Sequence, residues 1–297
     1  MYFYQIYGLK VSSNFEIPEA MSIPTAEVVD VVIEEGTVPH EELVAAKAGK
    51  LCRLDTEIAW FYLEQMGMFY VEKGRHIIVW KESDVLTDLS RNSYVTGTTF
   101  GLLLFQRGLV PIHSGAMVKN KKAVIVVGDS GAGKSTLCNH LQEEGFSFLS
   151  DDVSVVEKHG EHFVVQPAFP QQKLCKDAVL RKGYPLEDLI YIDEYRDKYA
   201  IRLRDGFEKE ACPIAFLLEL IVTDEKDLRI EEVTGLQKIG MLRHNIYRKE
   251  AWKEMGMSKE AQSTMMEIVN TVPMFRVFRP REGIHLQAIT SWIQNRM

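Results

Sequence analysis

The chain of 297 residues carries 35 Lys and Arg against 42 Asp and Glu, a formal net charge of −7, which argues against a protein built to coat nucleic acid or an acidic membrane. Hydrophobic residues make up 46% and charged residues 26%, the balance of a soluble globular chain of one large or two ordinary domains, not a disordered one. The four cysteines, Cys52, Cys138, Cys175 and Cys212, show no paired metal-ligand spacing, so free thiols in a reducing cytoplasm are expected.

The start, MYFYQIYGLK, lacks a basic region followed by a long apolar run, and no apolar stretch approaches the length of a membrane span. Tyr2 to Val11 and Ala26 to Glu34 read as β-like runs. Ile58 to Leu63, Met68 to Glu72 and His76 to Trp80 read as successive short strands, with Gly67 and Gly74 at tight turns. Residues 1–85 are therefore expected to form a small β-rich domain, whose aromatics, such as Trp60, Phe61 and Tyr62, serve as core. From Asp84 the pattern turns helical, with Leu86, Leu89, Tyr94, Phe100, Leu103 and Leu104 in phase and Gly108 as a cap. The second domain is placed at 86–297.

Next come a strand through His113 to Val118, a tight turn at Lys119 to Lys122, and a buried strand Ala123 to Val127. Two strands joined by so short a turn form an antiparallel hairpin, so the central sheet should be mixed. After a helix ending near Gly145, Phe146 to Leu149 reads as strand, and Val153 to Glu157 with His162 to Val165 as a hairpin. Pro167 to Lys176 reads as loop because of its two prolines. Residues 177–212 read as mobile loops. Ile214 to Val222 and Leu228 to Val233 read as strands, and Thr234 to Tyr247 as a helix capped by Thr234. Ser258 to Val269 reads as helix, Met274 to Phe278 as strand and Ile284 to Arg296 as a closing helix.

The organising motif is GDSGAGKST, spanning Gly128, Asp129, Ser130, Gly131, Ala132, Gly133, Lys134, Ser135 and Thr136. It follows an apolar strand and opens a helix, the setting in which Gly-x-x-x-x-Gly-Lys-Ser cradles a polyphosphate. The glycines let backbone N–H groups face the anion, Lys134 supplies a positive charge to the outer phosphates, and the Ser135 hydroxyl serves Mg2+. ATP and Mg2+ are the expected cofactors. Asp151 and Asp152 close the following strand, so one carboxylate can serve the metal and the other the acceptor hydroxyl. His113 precedes the loop strand and can orient a carboxylate or contact the phosphoryl group, whereas His140 reads as structural. Lys173, Lys176, Lys198, Arg202 and Arg204 are basic residues of the loop-rich region, one or two of which can close over phosphates. There is no Asn-Lys-x-Asp motif of a switch GTPase and no Leu-Ser-Gly-Gly of an ABC-type ATPase.

His113-Ser-Gly, GDSGAGKST at 128–136 and Ser150-Asp151-Asp152 together resemble the HPr kinase/phosphorylase family, serine kinases with a catalytic core related to phosphoenolpyruvate carboxykinase. The resemblance covers roughly Pro111 to Val156. It implies an α/β P-loop kinase core with a mixed sheet behind the β-rich N-terminal domain. It also implies Asp151 as acid/base, Asp152 as a magnesium ligand and His113 in support, with the order within the pair open. Thr136 stands where HPr kinases carry glutamate, and their glycine-containing signature is missing downstream. The start and PAFPQQKL look more like the divergent HPr kinase-related proteins of peptide-modification systems, including lasso-peptide precursor kinases. The expected activity is phosphoryl transfer to a serine of a peptide or small protein. The alternatives are a small-molecule kinase acting on free serine or a sugar, and a nucleotide-gated binding module without transfer. No nucleic-acid or membrane partner is expected, and a homo-oligomer is left open.

Overall fold

The computed structural model describes the chain except Lys182, residues 194–196, Arg204 and Ile284; of Arg181, Asp188, Ile192, Asp193 and Lys198 it describes the backbone alone. The chain divides into two compact units, one of Met1–Pro111 with Arg248–Gln262, the other of Ile112–Tyr247 with Ser263–Met297.

The first unit is built on an eight-stranded sheet in the order Met21–Ser22, Tyr2–Ile6, Leu9–Ser13, Val31–Glu35, His76–Lys81, Gly67–Glu72, Ile58–Leu63 and Cys52–Leu54. Its central strands are apolar on both faces because both faces are covered. On one, Trp60, Met68, Tyr70 and Ile78 pack with Val38 and Ala46, the latter on helix His40–Lys47. On the other, Phe69 stacks on Phe61 at 4.9 Å and meets Tyr94 at 5.2 Å, while Tyr7 meets Phe100 at 5.7 Å. Tyr94 and Phe100 belong to helices Asp88–Tyr94 and Phe100–Gln106, joined by a π-helical turn, Val95–Thr99. These helices complete the core of the first unit, so the division falls after Pro111 and not at the 85/86 boundary expected from the change of periodicity. The run Tyr2 to Val11 is a hairpin whose turn places Tyr7 and Gly8 at φ of 50° and 79°.

The second unit holds the mixed sheet. Strand Lys122–Gly128 pairs antiparallel with Gly115–Lys119 through a turn at Asn120 and Lys121, as the sequence predicts. Gly115–Lys119 in turn pairs antiparallel with Ser147–Ser150. On its other side Lys122–Gly128 runs parallel to Cys212–Thr223. The first residues of that 12-residue strand pair with His162–Val165, and its later residues run parallel to Met274–Pro280. Helices Lys134–Glu143 and Leu286–Gln294 cover a core of Val124, Leu137, Phe148, Leu218, Val277 and Ile289.

Three expectations are corrected here. The segment after Pro170 is no loop: Gln171–Cys175 pairs with Lys198–Arg202, which pairs with Ile190–Asp193, in a three-stranded antiparallel sheet. The prolines stop at 170, and the residues beyond them are free to donate to a ladder. The supposed mobile region 177–212 accordingly contains two of those strands, besides the end of helix Lys176–Arg181. Helix Leu236–His244 takes Gly235 as its N-cap, with φ of 57° and no side-chain cap, so Thr234 does not cap it. Helix Lys249–Met255 has no counterpart in the sequence reading.

Candidate functional site

The registers bring the functional segments to one edge of the mixed sheet. Gly128 ends its strand beside Leu220, and Leu220 lies beside Val277. These three strands are parallel, so their carboxyl ends share that edge. Gly115 starts its antiparallel strand beside Val126, and Ala116 faces Ser150, so Ser150 ends its strand at the same edge. His113, the glycine loop, the aspartate pair and Arg279 therefore converge although they span 167 positions of sequence, because alternate strand directions put starts and ends together.

The loop Asp129–Gly133 links the strand to helix Lys134–Glu143. Gly128 has φ of 137°, and a Cβ there would sit 2.5 Å from the Leu220 carbonyl oxygen, so glycine is required. Gly133, the N-cap, is left-handed with φ of 97°. Lys134 donates to the carbonyl oxygens of Gly128 at 2.8 Å and Asp129 at 3.3 Å, folding its ammonium over the loop. Asp129 and Ser130 are exposed, Ala132 is buried, and Ser135 and Thr136 are half-buried at the helix start.

The sequence reading missed the residues that brace this loop. Buried Arg279 donates from Nε to the Ala132 carbonyl at 2.9 Å, bracing the loop from strand Met274–Pro280, two strands away, and from Nη1 to the Pro280 carbonyl at 3.0 Å. Burial lowers the pKa of its guanidinium, with Arg281 adding to the effect. Arginine remains charged regardless. The amide oxygen of Asn245 accepts from the Gly128 N–H at 3.1 Å, and its nitrogen donates to Glu219 at 3.0 Å. Arg276 donates to the other oxygen of Glu219 at 2.6 Å. A signal existed for part of this: Glu219 is a lone carboxylate in an apolar strand, and a buried carboxylate demands partners. Nothing local points to Arg279, 147 residues from the oxygen it binds.

The aspartate pair lies at the end of strand Ser147–Ser150. Asp152 is left-handed, φ of 70°, a conformation short polar residues tolerate better than bulky ones. Its carbonyl oxygen accepts from His113 Nδ1 at 3.0 Å and from the Ser114 N–H at 3.3 Å. A carbonyl cannot donate, so Nδ1 carries the hydrogen, which makes Nε2 the acceptor nitrogen of the neutral ring. The Asp152 carboxylate lies 3.4 Å from His113 Nδ1 and accepts from Lys173 Nζ at 3.2 Å, while Asp151 accepts from the Lys173 backbone N–H at 2.9 Å. Lys173 thus holds both carboxylates. Burial pulls its ammonium down, but Asp152, Asp151 and Tyr247 outweigh that and raise it above the ordinary lysine value.

His113 itself lies in a bend just before strand Gly115–Lys119, not on the strand. Its backbone N–H donates to the Asn245 carbonyl at 2.7 Å, so Asn245 steadies both the glycine loop and the histidine. Of the other basic candidates, Lys176 and Arg202 are exposed; the side chain of Lys198 and the whole of Arg204 lie outside the described residues. His140 on the loop helix has its buried Nε2 without a hydrogen-bond partner and lies 3.8 Å from Glu143. On the same helix Cys138 is buried, and burial pushes its thiol up, with Asp151 adding to the shift and Lys134 opposing it.

No family model and no curated protein matches the chain. Among solved structures it is similar to the Hpr(Ser) kinase/phosphatase from Coxiella burnetii, with a TM-score of 0.32 and 12% identity over 62% of this chain and 94% of that one.

Proposed function

We propose that the chain is an ATP- and Mg2+-dependent kinase transferring the γ-phosphoryl group to a hydroxyl, with a serine of a peptide or small protein as acceptor. The observation that carries this reading is the meeting, at one sheet edge, of the glycine loop bearing Lys134 and Ser135 with the Asp151–Asp152 pair. Phosphoryl transfer asks for little more than a polyphosphate cradle, charge neutralisation and a group that takes the acceptor proton.

In this reading the loop amides and Lys134 hold the triphosphate. The Ser135 hydroxyl and the Asp152 carboxylate are hard oxygen donors suited to Mg2+, which takes one or two protein oxygens and completes its shell with phosphate and water. Such a site needs no large ligand cluster, and among the described residues none of three or more His, Cys, Asp or Glu occurs. When bound, the ion offsets charge on the phosphoryl oxygens. Asp151 accepts the proton of the acceptor hydroxyl as that oxygen bonds to the γ-phosphorus. The bond to the β–γ bridging oxygen breaks, and ADP leaves with its electron pair. His113 supports Asp152.

The test is transfer from γ-labelled ATP with Mg2+ to lysate of the protein's own source, compared with Lys134→Ala and Asp151→Asn. Label on a small protein or peptide, lost in both variants, supports the reading. Label in the metabolite fraction replaces the acceptor by a small hydroxyl compound. ATP binding with no labelled product overturns transfer and leaves a nucleotide-gated module.

A further inference from the structure

Asp152, assigned above to Mg2+, already has a cation on its carboxylate. Lys173 Nζ donates to its Oδ2 at 3.2 Å, and His113 Nδ1 lies 3.4 Å from its Oδ1. The same lysine donates its backbone N–H to the Asp151 carboxylate at 2.9 Å. The main chain therefore holds one aspartate and the side chain the other. Strand Gln171–Cys175 keeps this arrangement in register, with Lys173 facing Ala200 of Lys198–Arg202. Lys134, the lysine of the glycine loop, donates to the carbonyl oxygens of that loop, so Lys173 is the lysine that answers the aspartate pair.

Two carboxylates side by side repel, and an ammonium against them offsets one of their two charges. Lys173 and Asp152 are both half-buried, a setting in which charges are screened less than on an open surface. A dication coming to Asp152 meets that ammonium as a like charge on the same carboxylate. It gains the site fully only when the ammonium moves off, and the ammonium moves off at low cost only toward another anion. The outer phosphates of a nucleotide on the loop are that anion.

We infer that Lys173 is a positioning residue that stands on Asp152 until metal and nucleotide arrive together, so that the nucleotide-free protein binds the divalent ion weakly. The inference rests on the kinase reading, and ATP binding by the native chain tests that reading separately. The probe is Mn2+, followed by electron paramagnetic resonance. It is titrated, without nucleotide, into the native protein, Lys173→Met, Lys173→Arg, and Lys173→Met combined with Asp152→Asn. The backbone N–H that holds Asp151 survives these changes, thermal unfolding checks folding, and Lys173→Gln serves where Lys173→Met fails to fold. Mn2+ affinity is expected to be at least about tenfold higher in Lys173→Met than in the native protein. Lys173→Arg, which keeps the charge, should show no such gain, and adding Asp152→Asn should abolish it. Mn2+ should likewise raise the unfolding midpoint of Lys173→Met more than that of the native protein. With ATP present, Mn2+ binding read by calorimetry should differ by less than about threefold between native and Lys173→Met. Equal nucleotide-free affinity in these two proteins overturns the inference, as does a gain shared by Lys173→Arg or one that survives Asp152→Asn. An equally large gain with ATP bound overturns the joint arrival. A native protein that does not bind ATP overturns the kinase reading, and the inference with it.

Discussion

Asp151 and Lys173 carry distinct loads. If Asp151 takes the acceptor proton, Asp151→Asn should lower transfer roughly 10²–10⁴-fold, the usual contribution of a general base, with ATP affinity retained; a steady-state assay beside a binding titration checks both. Lys173 neutralises the carboxylates that flank it. Because its folded pKa is raised, its stabilisation is fully present below the ordinary lysine value of 10.5 and is lost as pH rises through the folded value. Lys173→Met should therefore destabilise by a constant margin between about pH 6 and 9, and the margin should close above about pH 10.5, as read from urea unfolding across pH. The cysteines make an independent check on burial. Cys175 is exposed, whereas Cys138 and Cys212 are buried and both thiols are pushed up, that of Cys212 to about 11, by burial first and then by Glu208. At about pH 8, iodoacetamide should modify Cys175 readily and leave Cys138 and Cys212 unmodified in the folded protein, as peptide mass mapping would show.

At the scale of elements, the site is only as good as the joints between strand, loop and helix. Gly128→Ala meets both an unsuitable φ of 137° and the Leu220 carbonyl at 2.5 Å, so it should cost about 2–3 kcal/mol in stability. Gly131, whose Cβ would meet nothing within 4 Å, should lose only about 1 kcal/mol on mutation to alanine, from its φ of 84°. Chemical denaturation of the two variants tests the difference. The elements legible in the sequence are those whose cause is local: the hairpin turned by Asn120 and Lys121, the loop with its glycines, and the strands around Gly67 and Gly74. What escaped has its cause elsewhere in the chain. The strand Gln171–Cys175 is defined by its partner Lys198–Arg202, more than 20 residues on, and its prolines hid it. Arg279 ends a short apolar strand and reads locally as an ordinary surface charge. Its role exists only because Met274–Pro280 lies two strands from the loop.

Across the whole molecule, the chain divides after Pro111, beyond the 85/86 limit expected from the sequence. The hydrophobic period changes near residue 85, but period reports secondary structure and says nothing of which core a helix completes. A fragment ending at residue 85 would leave Tyr7 and Phe69 without Phe100 and Tyr94, and would lack helix Lys249–Met255, which packs on Phe100–Gln106 and Cys52–Leu54. Such a fragment should give no cooperative thermal transition by near-ultraviolet circular dichroism. A chain joining 1–111 to 248–262 through a flexible linker should show one.

The return of residues 248–262 to the first unit also governs the order of events during synthesis. Domains made on ribosomes ordinarily fold from the N-terminus as they emerge. Here the first unit waits for residue 262 of 297 and the second for strand Met274–Pro280, whose Arg279 locks the phosphate loop. Neither half can be finished early: the first unit lacks helix Lys249–Met255, and the second lacks the strand that braces its phosphate loop, until the last quarter of the chain has been made.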